Sequence, residues 1–130
     1  MIIKTGIDII EVERIKTNIE KYKDRFLNKV FTKKEIEYCE SRKIQKYESY
    51  AGRFAAKEAI FKAISDILDN KYNIEWKDIE VVNNEYGKPY VNLKLEKFAK
   101  MKDINKVVNI DISISHIKDI AVANVVMLLK

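Results

Sequence analysis

Irregular chain has little to be built from in this sequence, whose 130 residues include only three glycines and one proline. That scarcity excludes linkers, low-complexity tracts and a loop-rich scaffold, and a hydrophobic share of 47% excludes disorder. The single cysteine, Cys39, cannot close an intramolecular disulfide, and one histidine leaves no cysteine and histidine set for a structural zinc ion. A reducing, cytoplasmic setting is expected. No run approaches the roughly 20 apolar residues of a membrane span. The opening MIIKTGIDII, interrupted by Lys4 and Asp8, is too short an apolar stretch for a signal peptide. A chain of this length buries about two-thirds of its extended surface, enough for one core, so residues 1–130 are read as one domain.

Charge is abundant but unevenly placed. Of 25 basic and 20 acidic residues, 15 basic and 10 acidic lie in residues 1–65, together with all four arginines. Residues 14–34 hold eight basic side chains against Glu20 and Asp24, which makes either a docking surface for an anionic partner or a solvated helical face. Arg14, Lys21 and Arg25, spaced seven and four apart, are expected on one face of a helix.

The pattern predicts an α+β fold. Residues 2–10 are rich in β-branched side chains and read as a buried strand, followed by helical spacing through Val12, Ile15 and Ile19. Thr32 three residues before Glu35 is a capping-box arrangement, so a second helix starts near Thr32. Residues 48–68, with Tyr50, Ala51, Phe54, Phe61, Ile64 and Leu68 near a 3.6-residue period, form the longest helix and the central packing element. Strands follow at 79–82, 90–95, 107–115 and 120–128, with a turn at 83–88, a short helix at 95–101 and a hairpin over 117–119. An antiparallel sheet, joined by the first strand, packs against the long helix.

Chemistry is expected where polar residues interrupt these patterns. Asp8 lies within an apolar strand, where an isolated buried carboxylate costs several kcal/mol unless a cation or hydrogen bonds neutralise it. An edge-exposed or capping aspartate is the plain alternative. Glu58 falls on the apolar stripe of the long helix, and an exposed pair with Lys62, worth about 0.3–0.5 kcal/mol, is too weak to hold it on a packed face. Two such carboxylates suggest a hard cation with oxygen ligands, and Mg²⁺, which takes its remaining ligands from water and substrate phosphates, fits that description. Arg53, Lys57 and Lys62 flank Glu58 and offer cations to a phosphate-bearing substrate. Gly87-Lys88-Pro89 reads as a hairpin turn or as a close backbone approach to a ligand. His116 ends a strand carrying Asp111, Ser113 and Ser115 on one face; it is a phosphate or base contact, or a satisfied structural histidine.

Taken in order, GIDIIEVERI, RFAAKEAIFKA, the Gly87-Lys88-Pro89 turn and SISH resemble the holo-acyl-carrier-protein synthases, the small 4′-phosphopantetheinyl transferases, over nearly the whole chain. The resemblance implies a Mg²⁺-dependent transfer of phosphopantetheine from coenzyme A to a serine of apo acyl carrier protein, releasing adenosine 3′,5′-bisphosphate in fatty acid biosynthesis. It also implies a cytoplasmic homotrimer with sites between subunits and neither nucleic acid nor membrane as partner. By the same resemblance Asp8 and Glu58 hold the metal, and Arg53, Lys57, Lys62, Gly87, Lys88, Pro89 and His116 meet coenzyme A. Arg14 matches the arginine that meets the carrier protein, and Lys21 and Arg25 are assigned to the same docking face by their spacing from it. Glu58 and Lys62 are the expected catalytic pair: Lys62 is an electrophile on the pyrophosphate, and either Glu58 or a metal-bound water accepts the serine proton. The chain departs from the family pattern after Ala63, where Ile64-Ser65-Asp66-Ile67-Leu68 continues the helical pattern in place of a glycine-rich turn, and at Ile117, where threonine is usual. A basic nucleic-acid-binding domain and a non-catalytic trimeric carrier-protein-binding module are the competing readings.

Overall fold

The computed structural model describes residues 1–67, 74–94 and 107–130. Strand β1 (Ile2–Glu11) leads directly into helix α1 (Val12–Tyr22), and α2 (Asp24–Val30) and α3 (Lys33–Ser41) follow. A 3₁₀ turn then introduces α4 (Lys46–Ile64), and β2 (Ile79–Asn83), β3 (Pro89–Leu93), β4 (Val107–His116) and β5 (Ile120–Leu129) complete the order. The long helix thus stops at Ile64 and turns at residues 65–67 rather than continuing. Leu68 and the expected helix at 95–101 lie outside the described residues.

β1, β5 and β4 form an antiparallel sheet with β5 in the centre, and the β4–β5 hairpin closes where the Ile117 amide donates to the Ile120 carbonyl. β2 and β3 make a separate two-stranded ribbon, so the strands of the second half do not share one sheet as expected. Its position explains the split: β2 is tied to α3, where the Val81 amide donates 2.7 Å to the Glu35 carboxylate.

Alternation along β1 and β5 decides which side of the sheet meets α4. Gly6, Ile10, Ala121, Ala123, Val125, Met127 and Leu129 are buried, and they oppose the small face of α4 made by Ala55, Ala56, Ala59 and Ala63. Small residues let the backbones approach closely. A Cβ on Gly6 would lie 1.8 Å from the Ala59 carbonyl oxygen, so only glycine fits there. The other face of β1 is not buried, contrary to the reading of a fully buried strand: Ile3, Ile7 and Ile9 are exposed.

α4 is buried nearly all round, because α1, α3 and β2 cover the sides that the sheet leaves open. That leaves polar residues inside. Lys57 and Glu35 are both fully buried and pair at 2.7 Å, and Glu35 also completes the capping box with Thr32. The basic segment is not one helix: Lys23, at φ 49°, breaks it between α1 and α2, so Arg25 does not share a helical face with Arg14 and Lys21.

Candidate functional site

Two groups of polar side chains flank α4. The first joins β1 to the end of the helix. Because β1 turns Lys4, Gly6, Asp8 and Ile10 toward α4, the Asp8 carboxylate emerges beside Gly6, where the close strand-helix approach brings it within 3.0 Å of the Lys62 ammonium. Lys62 also donates 2.9 Å to the Ile7 carbonyl. Glu58, one turn before Lys62, is half-buried, and burial first, then the charge of Asp8, push its carboxyl above the usual carboxylate value while Lys62 opposes them. Asp8 and Glu58 therefore feel each other's charge at a place where the side chain of Asp8 is only 15% exposed. That donor set is two carboxylates with no nitrogen or sulfur ligand, which fits a small hard cation such as Mg²⁺ better than zinc. No group of three or more metal-ligating side chains occurs among the described residues.

The second group surrounds a cavity of about 160 Å³ between α3, the start of α4, the β2–β3 turn and the end of β4. Arg53, Gly87, Pro89 and His116 all line it. His116 Nδ1 lies 3.9 Å from the Glu48 carboxylate. Gly87 adopts φ 83°, and its missing side chain would meet nothing, so within this chain the glycine serves the turn's left-handed conformation rather than a close approach. The Gly87 amide donates to Asn84, and the Asn84 side chain accepts from the Tyr86 and Lys88 amides. Lys88 points away to Asp111 at 3.2 Å.

Lys57 does not join either group. Its ammonium donates to Glu35, to the Val30 carbonyl at 2.8 Å and to the Trp76 carbonyl at 3.0 Å, which uses all three of its protons in a fully buried position. A phosphate has no access to it, because the sides of α4 that a helical wheel leaves open are covered by α3 and the chain before β2. Arg53 and Glu58, five residues apart on α4, are about 7.5 Å apart along the axis and about 140° around it, so one chain presents the two groups on different sides.

The basic segment keeps part of its expected clustering by another route. Lys21 and Arg25 sit 5.3 and 5.0 Å from the Tyr22 ring centre, one from each helix, and Arg14 is exposed on α1. Sequence reasoning missed Tyr38, Arg42, Glu48, Ser49 and Asn83, which also line the cavity. None interrupts an apolar pattern, so no sequence signal singled them out.

This combination of an antiparallel sheet, a buried central helix and a carboxylate pair beside a lysine has a clear relationship. Residues 4–123 match the 4′-phosphopantetheinyl transferase superfamily, and the chain belongs to that family. It is 49% identical over 123 residues to a holo-[acyl-carrier-protein] synthase of Clostridium tetani, spanning 95% of this chain and 93% of that one. Among solved structures, the Helicobacter pylori holo-[acyl-carrier-protein] synthase in complex with coenzyme A superposes with a TM-score of 0.79 at 31% identity, covering 95% of this chain and 99% of that one. The Bacillus anthracis holo-(acyl-carrier-protein) synthase in complex with CoA (3′,5′-ADP) gives a TM-score of 0.74 at 35% identity over 98% and 96% of the two chains.

Proposed function

We infer that this chain transfers the 4′-phosphopantetheine group from coenzyme A to a serine of apo acyl carrier protein, yielding holo carrier protein and adenosine 3′,5′-bisphosphate for fatty acid biosynthesis. The observation that carries the reading is the Asp8, Glu58 and Lys62 cluster, placed by the strand-helix contact in a chain of this family. The competing nucleic-acid-binding and non-catalytic readings are not favoured, since neither uses a partly buried carboxylate pair.

Asp8 and Glu58 would hold Mg²⁺, which when bound supplies charge neutralisation on the pyrophosphate of coenzyme A. Lys62, more than half exposed, turns a cation toward the same phosphates and holds Asp8 in place. The Glu58 carboxylate, one turn before Lys62 on α4, is the group of this cluster placed to accept the proton of the serine hydroxyl. Arg53, His116 and the Gly87 to Pro89 turn bind the adenosine end, the turn acting through its backbone, while Lys57 and the Lys88 ammonium are left out of that role. Arg14, Lys21 and Arg25 dock the carrier protein through its acidic surface.

The active form in this reading is a cytoplasmic, single-domain homotrimer with sites between subunits. The exposed isoleucines of β1 support an assembly through that sheet face, and the placement of the two polar groups on different sides of α4 supports a site completed by a neighbouring copy. No helix among the described residues is long and apolar enough to cross a membrane.

The test is to incubate the protein with apo carrier protein, coenzyme A and Mg²⁺ and to read intact mass. One added phosphopantetheine is expected with the wild-type chain. Asp8→Ala and Glu58→Ala should give none while keeping wild-type circular dichroism. No mass gain with the wild-type chain and a competent carrier overturns the assignment.

A further inference from the structure

Arg53 is an unusual arginine. The residue is only 5% exposed, and among the described residues no carboxylate pairs with it. Its Nη2 donates to the Asn83 side-chain oxygen, its Nε has no partner, and its guanidinium lies 4.1 Å from the centre of the Tyr38 ring. A buried cation whose neighbours are a neutral amide and an aromatic face remains in need of an anion. The cavity that it lines also carries His116, Ser49 and a second arginine, Arg42, whose guanidinium lies 5.9 Å from the same Tyr38 ring.

We propose that Tyr38 is a positioning residue that fixes Arg53 for the phosphate monoester end of coenzyme A, and so sets the preference for coenzyme A over 3′-dephospho-coenzyme A. This rests on the transferase reading above. An arginine on a helix has four rotatable bonds, and a guanidinium binds phosphate well only when its planar fork is held in one orientation. The flat Tyr38 ring supplies that restraint from α3, and Asn83 supplies the other from β2. Asn83 in turn donates 2.8 Å to the Gly87 carbonyl, which ties the turn to the arginine. The assignment goes to the monoester because two arginines and a histidine against the single acid Glu48 suit a terminal dianion, whereas the pyrophosphate has the Lys62 ammonium beside Asp8.

The experiment measures kcat and KM for coenzyme A and for 3′-dephospho-coenzyme A with the wild-type chain, Tyr38→Phe and Tyr38→Leu. Adenosine 3′,5′-bisphosphate serves as competing ligand. Wild type should prefer coenzyme A. Tyr38→Phe, which keeps the ring, should retain that preference. Tyr38→Leu should raise KM for coenzyme A and weaken adenosine 3′,5′-bisphosphate by about five- to thirtyfold, the range from a partly exposed to a desolvated cation–π contact. Its KM for 3′-dephospho-coenzyme A should move by less than about twofold. Equal losses on both substrates point to general packing, and a Tyr38→Phe variant as impaired as Tyr38→Leu points to a hydroxyl contact; either overturns the proposal. Failure here is distinct from failure of the transferase reading, because it leaves wild-type transfer intact and removes only the selectivity.

Discussion

At the residue scale, two lysines five positions apart on α4 have opposite fates. Lys57 is sealed between Glu35, the Val30 carbonyl and the Trp76 carbonyl; burial pushes its ammonium below the usual lysine value, and Glu35 works against that shift. Lys62 stays more than half exposed against Asp8. Removing one partner of a buried ion pair strands the other, so Lys57→Met should lower unfolding stability by about 3–5 kcal/mol in urea titration. Lys62→Ala loses an exposed pair worth at most about 1 kcal/mol, yet it should cut transfer strongly in the intact-mass assay. A Lys57→Met chain of wild-type stability would contradict the buried-pair account. Helical spacing placed both lysines near Glu58 but could not say which side of the helix another element covers. That is why Lys57 read as a substrate contact.

At the element scale, the contact between β1 and α4 sets the geometry of the carboxylate cluster. Gly6 lets the strand lie directly against the helix backbone, and its neighbour two residues on, Asp8, inherits that closeness. Gly6→Ala would force its methyl into the Ala59 carbonyl, which α4 can relieve only by moving away from the sheet. A loss of about 1–3 kcal/mol or more is expected in urea titration, with transfer activity falling in parallel. An equally stable and active Gly6→Ala chain would show that the helix can retreat without moving Asp8 from Lys62. The elements themselves were largely legible: the capping box at Thr32 and Glu35 is present with both of its hydrogen bonds, and the β4–β5 hairpin forms where its turn residues fall. The break at Lys23 was not legible, because a lysine in the left-handed region carries no composition signal. Nor was the second role of Glu35, whose carboxylate caps a helix, pairs with Lys57 and accepts the Val81 amide at once.

At the scale of the molecule, one sheet face is covered by α4 and the other carries Ile7 and Ile9 at 61% and 66% exposure, with Ile3 and Val126 also exposed. Apolar strips of that kind on a regular sheet are favourable only when another surface covers them. Ile7→Asp should therefore shift the mass measured by light scattering from that of the proposed homotrimer to that of a single chain, with circular dichroism unchanged. Transfer should fall with it if the site needs a neighbouring copy. A variant that keeps the wild-type mass would rule out this face as the subunit contact. Part of the positive excess gains a location on the same scale: residues 12–30, α1 and α2 with Lys23 between them, hold six basic against three acidic side chains, and Tyr22 gathers Lys21 and Arg25 across the helix break.

The sequence by itself determined the element types, the α+β class and the carboxylates worth examining. Periodicity, capping and the cost of a charge on an apolar face are local properties that a chain carries in its order of residues. Tertiary structure decided the rest. It divided the strands between a sheet and a ribbon, sealed Lys57, turned Lys88 to Asp111, and brought Tyr38 and Asn83 from separate elements against Arg53. Each of these depends on which surfaces become neighbours across long stretches of chain, and burial energies are settled by those neighbours rather than by spacing along the sequence.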